Sequence, residues 1–213
     1  MSILVARSVP LIASIVIACV LCARLGKRRT PFFSALFGLA SLAAAVEVFG
    51  LWSALNRIDN TPAYNAFIAI EFLLVLAMVS IERPHWKKWT LLAGALGLMA
   101  YTLVIVNNGF AKGIRVDAML VFAAIGSVLM LALLWSYAQH STVALHRLPA
   151  FWIFLGLLIY YGCLIPLVGL NRYVLQGDRS LAMIMWSITT MLAIIRYSMA
   201  SYACWLQRRN LAG

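Results

Sequence analysis

The sequence predicts an all-α polytopic membrane protein, a bundle of seven transmembrane helices with the N-terminus outside and the C-terminus inside. Three observations lead there. The chain of 213 residues is 64% hydrophobic and only 11% charged, with a mean hydropathy of +0.95. A soluble domain of that size has no interior large enough for so much apolar surface, so lipid must be the solvent for much of it. The apolar residues fall into seven stretches of about the 20 residues that a spanning helix needs. Short loops, several of them basic, join the stretches, so residues 1–213 form a single transmembrane domain.

The first helix is expected over 9–24. Its start resembles a signal peptide, with Arg7 ahead of an apolar run, and Val16-Ile17-Ala18-Cys19 weakly resembles a lipoprotein cleavage box. The basic cluster Arg24, Lys27, Arg28 and Arg29 is a poor cleavage context and a good topology anchor, so the helix is expected to be retained. The second helix, 31–54, opens on Pro31, which is tolerated in a first turn because that N–H needs no helical partner. Its stripe Ala40, Ala43, Glu47, Gly50 and Ala54 puts a glutamate on a small-residue packing face. The third helix, 62–81, carries Tyr64, Ile68, Glu71 and Val75 on one face. Asn65 lies about 120° from Glu71.

The fourth helix, 89–106, has a small-residue stripe of Ala93, Gly97 and Ala100. The fifth, 115–137, starts with Arg115 and Asp117 at the surface. The sixth, 148–168, holds Tyr160 and Tyr161, with a kink expected at Pro166. The seventh, 179–205, carries Ser187, Thr190 and Arg196.

Orientation follows from loop charge. With the N-terminus outside, the inner loops hold Arg24, Lys27, Arg28, Arg29, Arg83, Lys87, Lys88, Arg147, Arg208 and Arg209. The outer segments hold fewer bases: Arg7, Arg57, Lys112, Arg115, Arg172 and Arg179. Basic residues favour the inside. The net charge of +11 is thereby assigned to topology and anionic headgroups rather than to nucleic acid.

Glu47 and Glu71 are the candidate site. Counted from the turn between their helices, they lie roughly 10 and 13 Å deep at 1.5 Å per residue. Intramembrane carboxylates are costly and mark ion, proton or ligand sites. Two of them in one bundle core disfavour each other's charge, so one shared proton is the expected arrangement. Tyr161 and Thr190 come to a similar depth and are the weaker lining candidates. Arg196 counts about 25 Å below the outer end of its helix, near the inner interface, where it is expected to snorkel rather than meet a carboxylate. His85, His140 and His146 fall in or beside inner loops.

Several chemistries are excluded. All four lysines are in loops, so no retinal Schiff base is expected, and no span contains a histidine for haem, zinc hydrolysis or a Ser–His–Asp site. The cysteines, Cys19, Cys22, Cys163 and Cys204, lie in apolar spans and are read as small hydrophobes, and no second Cys or His pair completes a metal site. No cofactor, metal or catalytic residue is assigned.

The run Asn60-Thr61-Pro62-Ala63-Tyr64-Asn65, followed by Ile70-Glu71-Phe72, resembles a pattern in an uncharacterised group of small seven-helix bacterial membrane proteins. There a glutamate in the second helix, here Glu47, precedes a polar turn. The resemblance covers 47–75, about an eighth of the chain. It implies seven helices and a bacterial inner membrane, and carries no activity or ligand. The function expected is a carrier or receptor-like sensor that binds a small molecule, cation or proton from outside, between helices 2, 3, 6 and 7. The alternatives are an accessory subunit of a larger membrane complex and, third, an intramembrane enzyme. The expected partners are the lipid bilayer, that ligand or other membrane subunits, with no nucleic acid.

Overall fold

The computed structural model describes the backbone of residues 2–110, 116–174 and 179–212, and side chains within those segments except 2–7, 108, 171–174, 179–183 and 212. Among the described residues every regular element is helical. Seven α-helices follow in order: α1 Ser2–Ala23, α2 Pro31–Leu55, α3 Thr61–Glu82, α4 Lys87–Asn108, α5 Val116–His140, α6 Pro149–Val174 and α7 Arg179–Ala212. Five spans, Pro31–Leu55, Thr61–Glu82, Pro84–Asn107, Val116–His140 and Pro149–Leu170, are long and apolar enough to cross a membrane. The described apolar part of α1, Ser8–Ala23, is shorter, and α7, with Arg196 and several hydroxyls, is not among the five.

Boundaries agree with the sequence expectation at the loops and differ at the ends. α1 begins at Ser2 instead of Val9 and runs through Pro10. α6 continues through Pro166 to Val174. α7 continues past Trp205 to Ala212, 34 residues or about 51 Å. The expected placements of Arg7, Lys112, Arg115, Arg172, Asp178 and Arg179 rest on residues or side chains outside the described ones. Asp117 is exposed in the first turn of α5, as a helix N-terminus favours.

Local chemistry sets the turns. The Thr30 side chain caps α2 by accepting from Phe33 N–H, and Pro31 follows. Between α2 and α3, Arg57 takes φ +57°, Thr61 N–H donates to Asp59 Oδ1 at 2.9 Å, and Asn60 Nδ2 donates to the Gly50 carbonyl at 3.2 Å. α4 ends at Gly109 with φ +77°.

Each helix packs on the next, and α1 closes the ring against α7. α3 also touches α5, which leaves α4 on the outside of that pair. Consecutive helices run in opposite directions, so the α2–α3 turn marks one end of the bundle. At the other end, Tyr137 of α5 donates to Glu82 of α3 at 2.5 Å, and Asn210 of α7 reaches the Arg147 carbonyl. Toward that end Phe33, Leu36, Met78, Met130, Phe154 and Leu157 form a buried core, with Cys22 and Cys204 among them as small apolar groups, and a void of about 210 Å³ remains beside Thr30, Glu82, Tyr137 and Gln207.

Small residues permit the close approaches. A Cβ at Gly97 would stand 2.6 Å from the Phe72 ring, which stacks on Phe122 at 4.2 Å between centroids. A Cβ at Gly126 would stand 3.0 Å from the Tyr161 ring. The Ala40–Ala43 stripe of α2 packs against α1 and Tyr197 of α7.

Candidate functional site

The tight turn sets α2 and α3 side by side, so Glu47 and Tyr64 face one another. Tyr64 Oη donates to Glu47 Oε2 at 3.2 Å. The Tyr64 phenol crosses α2 at Gly50, where a Cβ would collide with the hydroxyl end of the ring. The small residue one turn from Glu47 therefore leaves room for the group that binds Glu47.

About two turns further along α3, Glu71 meets α7. Arg196 Nη1 donates to Glu71 Oε1, and Arg196 Nη2 donates to Tyr197 Oη at 2.8 Å. The guanidinium also lies over the rings of Tyr160 and Tyr197, 4.6 and 4.7 Å from their centroids. Tyr161 Oη approaches the same carboxylate oxygen at 3.4 Å, a long hydrogen bond. The Arg196 and Glu71 side chains are 5% and 9% exposed, so solvent screens this pair very little. On the far side of α3, Asn65 Nδ2 donates to the Phe110 carbonyl and Tyr101 Oη donates to the Asn65 carbonyl, both at 2.8 Å. Those bonds fix the rotation of α3 that turns Glu71 inward.

A cavity of about 350 Å³ opens between these groups. Glu47, Tyr64, Glu71, Tyr160, Tyr161, Thr189 and Thr190 supply its polar wall. Phe67, Ile68, Phe72, Phe122 and Leu164 supply most of the apolar wall, with Ser8 and Leu11 of α1 and Trp186 of α7 closing it. The volume is in the range of small-molecule sites. Arg196 is not on this wall. It lies against a void of about 10 Å³ among Leu36, Leu39, Ile153 and Leu157, so the ion pair separates the hollow half of the bundle from the packed half.

All four residues singled out in the sequence, Glu47, Glu71, Tyr161 and Thr190, border this one cavity. Thr190 is half-buried, and its hydroxyl donates to the Trp186 carbonyl within α7 at 3.0 Å. The cavity involves α1 and α5 as well as the expected helices 2, 3, 6 and 7. Tyr101 and Thr102 of α4 lie away from this cavity: Tyr101 bonds the Asn65 carbonyl and Thr102 the Leu98 carbonyl.

The expectation for Arg196 is corrected. Its depth was counted from Arg179 as though the helix started at the membrane surface. In the longer α7 it stands near the middle, as Glu71 does in α3, and the two meet. Each carboxylate has its own hydrogen-bond donor, Tyr64 for Glu47 and Arg196 for Glu71. The missed signal was an arginine directly after Ala193-Ile194-Ile195: a charge inside an apolar run needs a counter-charge.

No protein-family model, curated protein or solved structure matches the chain. The site is judged on its own geometry.

Proposed function

We propose that the chain is a seven-span integral membrane protein of a bacterial inner membrane, N-out and C-in, related to the seven-helix group that its third helix resembles. It binds a small molecule or cation in a site open toward the α2–α3 turn, and acts as a carrier or receptor-like sensor. The supporting observation is the cavity of about 350 Å³ that borders both Glu47 and Glu71, with the buried core of Met78, Met130, Phe154 and Leu157 beyond it. A cavity closed at one end admits its ligand from the other. The Glu71–Arg196 pair braces the closed floor, and Glu47 stands nearer the mouth.

The test is native mass spectrometry of the protein gently extracted from its own membrane, wild type beside Glu47→Gln. Glu71 is left intact because removing it strands the buried Arg196 charge. A small-molecule adduct in the wild type that Glu47→Gln loses is the expected result. A protein partner retained at fixed stoichiometry in both, with no adduct in either, would overturn the proposal in favour of an accessory subunit.

A further inference from the structure

The wall of the cavity carries two carboxylates, while the Arg196 guanidinium stands behind the wall. Arg196 is already used on every side, by Glu71, by the Tyr197 hydroxyl and by the faces of two tyrosine rings. An entering anion would meet carboxylates first and find no open donor at the floor. Glu71 is balanced by Arg196, whereas Glu47 has no such partner among the described residues. Its hydrogen bond comes from the neutral Tyr64 hydroxyl, and among the described residues no lysine, arginine or histidine pairs with it. A carboxylate on an apolar, low-dielectric wall keeps a proton or takes a positively charged partner, and an ammonium group supplies the second.

The rest of the wall narrows the kind of cation. Calcium wants six to eight oxygen ligands, and magnesium wants an octahedron of oxygens and water. Much of the cavity wall is instead carbon, with Phe67, Ile68 and Phe72 on α3 and Phe122 on α5. Aromatic faces and one carboxylate are the means by which proteins hold organic ammonium groups. A volume of about 350 Å³ also suits a carbon skeleton far better than a bare ion.

Resting on the ligand-site reading above, the geometry points to an amphipathic organic ammonium ion as the ligand class. Its ammonium N–H groups donate to Glu47, and its apolar body lies against Phe67, Ile68, Phe72 and Phe122. Tyr64 holds the carboxylate in place and orients it toward the cavity.

The experiment uses the full chain in lipid nanodiscs with three probes of similar shape: phenethylamine, phenethyl alcohol and phenylacetate. Binding is measured against empty discs for the wild type, for Glu47→Gln, and for Ile68→Trp, which fills the cavity. The amine is expected to bind the wild type about tenfold or more tightly than the alcohol or the acid, because a charge-assisted hydrogen bond is lost without it. Glu47→Gln is expected to bring the amine down to the level of the alcohol and leave the alcohol unchanged. Alcohol or acid binding as tightly as the amine, and abolished by Ile68→Trp, would overturn the ligand class and leave the cavity as a site. No probe binding above empty discs would overturn both. The comparison of the three probes on the wild type needs no variant, so a poorly folded Glu47→Gln does not shield the proposal.

Discussion

Arg196 of α7 and Glu71 of α3, 125 positions apart in the chain, form a buried ion pair at the floor of the cavity. Removing one partner leaves the other charge in a medium that cannot solvate it. Arg196→Met is therefore expected to destabilise the protein by about 3–5 kcal/mol. The double variant Glu71→Leu/Arg196→Met is expected to recover most of that loss, because an apolar pair of similar volume leaves no charge stranded. Melting of the single and double variants in one detergent checks both statements. Equal losses in the two would show that the pair contributes shape rather than charge.

Gly97 gives a steric test of the α3–α4–α5 contact. An added Cβ would stand 2.6 Å from the Phe72 ring and 3.1 Å from the Phe122 ring stacked on it, so it must push both rings or part the helices. Gly97→Ala is expected to cost about 1–3 kcal/mol, as overpacking does. Gly38→Ala, with nothing within 4 Å of its new Cβ, is expected to leave the melting temperature the same or slightly higher.

Gly50 separates folding from the state of Glu47. Its added Cβ meets the hydroxyl end of Tyr64, which can swing aside. Gly50→Ala is expected to break the Tyr64–Glu47 hydrogen bond with a small change in stability, about 0.5–1.5 kcal/mol. Tyr64→Phe should reproduce its effect on probe binding. If Gly50→Ala and Tyr64→Phe differ in their effect on amine affinity, the hydrogen bond is not what the two share.

Asp59 supplies a pH dependence at the α2–α3 turn. Hydrogen bonds from Thr61, including its backbone N–H at 2.9 Å, hold this exposed carboxyl below its ordinary range. A carboxyl pKa lowered on folding contributes stability above its unfolded value, near 3.9, and loses it as pH falls through the folded value. The stability difference between wild type and Asp59→Asn should be constant from pH 5 to 7 and shrink below about pH 4. Paired melts across that range measure it.

In the proposed seven-span topology the α2–α3 turn and the α5–α6 loop lie on opposite sides of the membrane. Single cysteines at the exposed positions Asp59 and Thr142 are expected to react with an impermeant maleimide from opposite faces, Asp59 from outside. Labelling of both from one face would break the proposed topology.

Helix existence and most of the loop boundaries were legible in the sequence alone, because twenty-residue apolar runs between polar turns are a one-dimensional property. So were the two glutamates, since a carboxylate in such a run is conspicuous wherever it lies. The pairing of Glu71 with Arg196 was not legible. It depends on how far α7 extends beyond the apolar run and on which helices touch, and counting residues from a loop measures neither. Tyr64 as the partner of Glu47 was within reach, because a short turn makes α2 and α3 neighbours and Gly50 leaves space for a ring. The cavity itself belongs wholly to the tertiary structure. Its volume is what remains where side chains of six helices are brought together across the bundle, and no single helix specifies it. Residue types along the chain determined that this protein is helical and apolar and where its charges sit. Only the packing of the helices decided that one of those charges is balanced inside the protein and the other faces a cavity.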